Sequence, residues 1–142
     1  MLVIDTNILI LATPAKSDFN TKAAELIWGI VNLDHCIAVD EEGKIVEREY
    51  KKYMQRNWTL ISWWKFMRLK GKIKYRSGQG SRICDLKEMD NCFACVAMRT
   101  PDRILVTENE RDFNAEVQRI LAKRHVRTLS LHDGYSLVCR YP

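Results

Sequence analysis

Asp5, Asp90 and Asp112 are the residues of this chain whose type and setting best suit shared chemistry. Asp5 ends the apolar run Leu2-Val3-Ile4 and leads into Thr6-Asn7. Asp112 closes the segment Leu105-Val106-Thr107-Glu108-Asn109-Glu110-Arg111-Asp112-Phe113. Each is an apolar strand running out into small polar and acidic residues. In an open α/β sheet, ligands bind outside the carboxyl ends of the strands, so two parallel strands ending this way aim their acids into one crevice. Carboxylates gathered there repel one another unless cations sit between them, which points to a Mg²⁺ or Mn²⁺ site.

Asp90 opens a helix in Asp90-Asn91-Cys92-Phe93-Ala94-Cys95-Val96-Ala97. Its plainest role is a charge at a helix N-terminus, worth about 1 kcal/mol. Ala94 and Ala97 go further, because small residues let the helix press on the sheet and bring its first turn to the strand ends. Asp85 and Glu88 are close enough to compete, and the Phe93-Ala94-x-x-Ala97 register favours Asp90. Glu47 and Glu49 share a helix two positions apart, so their side chains leave it about 200° apart and only one can face a common site.

The elements that must carry these residues alternate between strand and helix. Residues 1–5 and 104–106 read as strands buried on both faces, His35 to Val39 as another, and Val126 to Leu131 as the last. Asp40-Glu41-Glu42-Gly43 reads as a turn. Ala23, Ala24, Leu26, Ile27, Ile30 and Val31 recur at helical spacing behind a cap at Asn20 or Thr21. Two more helices are expected, one over about residues 44–56 and one carrying Leu60, Trp63, Trp64 and Met67, as an extra layer at the mouth of the sheet. Of Trp63 and Trp64, one ring belongs in the core and one at the surface. Gly71 to Gly80 reads as a basic, mobile loop or short hairpin. The pattern predicts an α/β fold, a single domain over residues 1–142 with a mainly parallel central sheet and helices on both faces.

Charge is unevenly spread along the chain. Residues 51–84 carry ten Lys/Arg and no acid, more than the whole net charge of +5, and six of the thirteen aromatics. Lys and Arg neutralise phosphates and flat rings stack on unpaired bases, so Lys65, Arg68, Lys70, Lys72, Lys74 and Arg76 are candidate nucleic-acid contacts. By itself the segment could equally be a solvated basic face; beside an acidic metal site, substrate binding is the better reading.

Five cysteines without a secreted-domain spacing, and no signal peptide, point to a reduced, cytoplasmic protein. No apolar run approaches the roughly 20 residues needed to cross a bilayer. Cys92-x-x-Cys95 has no second pair to complete a zinc site and reads as core. His35, His125 and His132 lack a nucleophile context.

Taken in order, Ile4-Asp5-Thr6-Asn7, Asp90-x-x-Phe93-Ala94-x-x-Ala97 and Val106-Thr107-x-Asn109-x-x-Asp112-Phe113 resemble the PIN-domain nucleases, a family that includes the VapC-type toxins of toxin–antitoxin pairs. The resemblance implies a three-layer sandwich in which Asp5, a helix glutamate, Asp90 and Asp112 bind one or two Mg²⁺ or Mn²⁺ ions. Its glutamate placement favours Glu49 over Glu47. Thr6, Asn7, Thr107 and Asn109 would orient the carboxylates. Asn109 stands where many relatives have an aspartate, and Glu108 and Glu110 are the nearest acids that could make good that charge. The implied activity is an endoribonuclease acting on single-stranded or looped RNA, with an antitoxin protein and a second copy of the chain as implied partners. A nuclease on structured DNA would use the same acids, and a nuclease-dead binding module is the reading from another class.

Overall fold

The computed structural model describes residues 1–14 and 17–140. Five strands, β1 (Leu2–Ile4), β2 (Ile37–Asp40), β3 (Ile73–Arg76), β4 (Ile104–Val106) and β5 (Arg127–Leu129), form one sheet in the order β3-β2-β1-β4-β5. Every pairing is parallel. The three inner strands are buried at every residue and the two outer ones only in part. That division explains why the inner strands are unbroken apolar runs while β3 alternates Lys and Arg with Ile and Tyr.

Seven helices connect and cover these strands among the described residues: α1 (Thr6–Leu11), α2 (Thr21–Asn32), α3 (Val46–Met54), α4 (Trp58–Leu69), α5 (Glu88–Met98), α6 (Ala115–Lys123) and α7 (Leu131–Cys139). The chain winds outward from β1 through β2 to β3, then crosses back to β4 and β5. Right-handed crossovers put α2 and α4 on one face and α5 and α6 on the other. Accordingly α2 packs on α1, α4 and α7, while α5 lies across β1, β2 and β4. The order reverses between β1 and β4, where Asp5 and Thr107 leave the sheet.

α3 sits at the mouth. The buried Tyr50 hydroxyl donates to the carbonyl of Ile4, the last residue of β1, and its ring packs between Trp64 of α4 and Phe93 of α5. The start of α3 is held by Asp40 at the end of β2, whose carboxylate accepts from the amides of Lys44, Ile45 and Glu47 at 2.9–3.1 Å. Burial alone would raise the Asp40 pKa, but these amides hold it below the usual value.

Several expectations need correcting. α4 is no part of the mouth layer; it packs on α2, with Trp63 Nε1 donating to the Ile27 carbonyl at 2.9 Å. Trp63 and Trp64 are both buried, because Trp64 meets Tyr50 edge-on with centroids 6.1 Å apart. The exposed rings of this helix are Trp58 and Phe66. Residues 73–76 are neither loop nor hairpin but an edge strand parallel to β2. The glycines after it press on α5: a Cβ at Gly78 would lie 2.3 Å from Cys92 Sγ and 3.1 Å from Asp40 Cβ. The buried Cys92 and Cys95 thus serve as packing surface.

The last strand ends at Leu129, and the helix α7 that follows was not expected. Ser130 caps it by accepting from the Asp133 amide, and Gly134 lets it approach β4, where a Cβ would come within 2.8 Å of Val106 Cγ1. Among the described residues no helix is long and apolar enough to cross a membrane.

Candidate active site

The site forms where β1 and β4 end side by side. Asp5 continues β1 by donating its amide to the Val106 carbonyl at 2.9 Å, then turns into α1. It occupies the cap position of that helix, yet its carboxylate makes no cap hydrogen bond. Instead it accepts the Thr107 hydroxyl at 2.6 Å. Thr107 is fixed by its own amide, which donates to the Leu129 carbonyl, and its hydroxyl oxygen also accepts from the Asn109 amide at 2.9 Å. Asn109 continues the chain of contacts: Nδ2 donates to Asp112 at 2.8 Å and Oδ1 accepts from the Asp112 amide at 3.2 Å. Asn7 Oδ1 accepts from the Glu108 amide at 3.4 Å, joining the two strand ends a second time. The buried Phe113 anchors the loop, so a segment without regular structure is nevertheless held.

Asp90 enters from the first turn of α5, where it is buried and does not act as the cap, a position held by Lys87. Burial, together with the charges of Asp5 and Asp112, pushes its carboxyl up to about 7. It is also hydrogen-bonded to Asp112 in a way that favours a proton on Asp90 and a charge on Asp112. Asp112 is held below the usual aspartate value, first by the Asn109 side chain, with Lys87 and Arg111 assisting. Asp5 is raised by burial and by the Asp112 charge, against the pull of the Thr107 hydroxyl and nearby amides. Three aspartates thus share one electrostatic environment that disfavours three negative charges.

The two glutamates separate as their spacing requires. Glu47 faces β3, where it lies 3.5 Å from the Tyr75 hydroxyl and 3.7 Å from Lys51 Nζ. The half-buried Glu49 side chain has no hydrogen-bond or salt-bridge partner among the described residues and does not join the aspartate network. Glu108 turns away from the site and accepts from the Leu131 amide at the start of α7, while Glu110 is exposed.

Hard oxygen donors of this kind suit Mg²⁺ or Mn²⁺. Among the described residues no three His, Cys, Asp or Glu side chains stand at a spacing that would hold a metal ion; the aspartates meet pairwise. Two features nonetheless fit a cation. The raised Asp90 pKa is a repulsion that a positive ion would relieve, and the buried Thr6 hydroxyl beside Asp5 has no hydrogen-bond partner among the described residues. An orphaned buried hydroxyl costs about 1–3 kcal/mol, and a water held among the acids would satisfy it.

The basic residues do not form one track. α4 runs away from the mouth towards the start of β3, so Lys65, Arg68 and Lys70 lie progressively farther from Asp5. Lys70 Nζ donates to the Val31 carbonyl and Lys72 Nζ to those of Ile30 and Leu33, so both lysines cap the C-terminus of α2 at the amino end of the sheet. Lys74 is in the middle of β3. Arg76, paired in register with Asp40, is the member of the set at the carboxyl end.

Asp40 and Lys87 were not singled out from the sequence, and Tyr50 was placed only as a ring packing beside Glu49. Asp40 carried a usable signal, an acid ending a strand a few residues before a helix; Tyr50 and Lys87 act through contacts across the fold that no local pattern encodes. Comparisons with protein-family models, with curated proteins and with solved structures find no match.

Proposed function

We propose that this chain is a divalent-metal-dependent ribonuclease with its centre at Asp5, Asp90 and Asp112, and with Glu49 as the fourth ligand. The observation that carries the reading is the buried Asp90 carboxyl held beside Asp5 and Asp112 where β1 and β4 end together, a grouping whose mutual charge raises the Asp90 pKa. The motif resemblance to PIN-domain nucleases supports it, and the topological switch point is where such a site is expected.

In this reading Asp5, Asp90, Asp112 and Glu49 hold Mg²⁺ or Mn²⁺. Such an ion would activate water for attack on a phosphodiester and stabilise the leaving oxygen. The protein's own part is positioning. Thr107 fixes one Asp5 oxygen and Asn109 one Asp112 oxygen, leaving the second Asp5 oxygen free as a donor. Asp90 would be held as a carboxylate by the cation. Thr6 offers its hydroxyl to a water in the site.

The test is cleavage of mixed RNA with Mg²⁺ or Mn²⁺, with and without EDTA, beside the Asp5→Asn protein. Metal-dependent cleavage by the parent and none by the mutant is expected. Equal cleavage by both removes Asp5 from the site, and cleavage of structured DNA in preference to RNA changes the substrate class. Absence of any cleavage alongside tight RNA binding favours a binding module.

A further inference from the structure

A groove of about 580 Å³ lies between the end of α1, the end of α3 and the start of α4. Its lining includes Ile10, Lys52, Tyr53, Arg56, Trp58 and Leu60, and no acidic residue. Trp58 is 80% exposed and Tyr53 37%, unusual openness for rings that a folding chain would otherwise bury. Lys52 Nζ stands 5.9 Å from the Tyr53 ring centroid. Arg56 is in the left-handed region, with φ 59°, a conformation costing a residue with a side chain about 1 kcal/mol or more. A glycine or asparagine would relieve that strain in this turn; the position instead puts a guanidinium on the groove wall.

The groove shares α3 with Glu49, the proposed fourth ligand. Tyr53 follows Glu49 by four residues and Lys52 by three, so both lie one turn along the helix on the same side as Glu49. Aromatic faces, two cations and no acid form a surface complementary to an unpaired, negatively charged strand.

We infer that this groove holds an unpaired nucleotide of the RNA strand, its base stacked on Trp58 and Tyr53 and its phosphate against Lys52 and Arg56. The assignment rests on the ribonuclease reading above and names the part of the surface that grips the strand. It moves the grip from the Lys65–Arg76 stretch to residues 52–58.

The test is binding of a labelled single-stranded RNA of about 12 nucleotides in EDTA, so that no cleavage intervenes. Trp58→Ala is expected to weaken binding about fivefold or more, with Trp58→Phe retaining most of it. Arg56→Gly, which relaxes the backbone, should lower the log–log salt slope by about 0.7. A perfect duplex of the same sequence should bind Trp58→Ala and parent alike. Melting curves confirm that each variant is folded. Single-strand binding unchanged in Trp58→Ala overturns the inference and leaves the ring to a protein partner. If the parent cleaves RNA while Trp58→Ala binds normally, the groove assignment fails and the nuclease reading stands. If binding depends on Trp58 but no divalent ion supports cleavage, the nuclease reading fails and the groove stands.

Discussion

The Thr107 hydroxyl donates to the Asp5 carboxylate at 2.6 Å across 102 residues of sequence, and accepts in turn from the Asn109 amide. One hydroxyl thus sets the orientation of the Asp5 carboxylate and the path of the loop that delivers Asp112.

Thr107→Val keeps the shape and removes both interactions. It is expected to destabilise the fold by about 2 kcal/mol, as a buried hydrogen bond to a charged group does, and to reduce metal-dependent cleavage at least tenfold. Thr107→Ser should restore most of both. Chemical denaturation and cleavage rates on the three proteins decide this, and a Val variant with parental activity would dismiss the positioning role.

The raised Asp90 pKa makes the metal-free protein less stable as pH increases. Below about pH 4 the carboxyl is protonated in both folded and unfolded chains and has no effect. Between that value and about 7 the unfolded chain loses its proton first, so stability falls, and above 7 the loss is complete. Asp90→Asn should therefore melt higher than the parent in EDTA, by a margin that grows from pH 4 to 7 and then levels off. Mg²⁺ or Mn²⁺ should raise the parent's melting temperature and leave the mutant's unchanged. A margin independent of pH would refute the assignment of this proton to Asp90.

Comparing Glu47→Gln with Glu49→Gln should abolish cleavage only in the second. Glu47 is occupied by Tyr75 and Lys51, and its loss should cost no more than about 0.5 kcal/mol of stability. Activity measured side by side would move the ligand to Glu47 if the pattern were reversed.

Lys70 and Lys72 make a different prediction from their neighbours. Because their ammonium groups meet the last carbonyls of α2, replacing both with Gln should lower stability by about 1–2 kcal/mol and barely change RNA affinity. Lys74→Gln with Arg76→Gln should leave stability nearly unchanged and also barely change RNA affinity, because the grip lies at residues 52–58. RNA titrations and melting curves on the two double mutants separate the cases; loss of affinity in the first pair would return those lysines to the substrate path.

The architecture was legible wherever the pattern was local and strong. Leu2-Val3-Ile4 and Ile104-Leu105-Val106 could hardly be anything but inner strands, and the Asn20 cap with its apolar stripe marks α2. The meeting of Asp5, Asp90 and Asp112 followed from strand-end logic together with a small-residue helix. The edge strand β3 was missed because edge strands alternate polar and apolar residues much as a hairpin does, and its partner β2 lies more than thirty residues away. Trp64 was misplaced because its burial depends on Tyr50, in another helix. α7 was missed although Ser130-x-x-Asp133 is a helix-start signature, since Gly134 breaks its apolar stripe and only the closeness of Val106 explains that glycine.

Tyr50 fastens α3 to the last residue of β1, and the helix carries Glu49 and Tyr53 one turn apart. Their backbone separation is set by four residues of helix at about 1.5 Å each, about 6 Å along the axis, a length no side-chain rearrangement can stretch. In the proposed nuclease, α3 therefore works as a ruler. The point of grip and the point of cutting keep a fixed offset, so products from unrelated RNAs would share the same short distance between the stacked base and the new end.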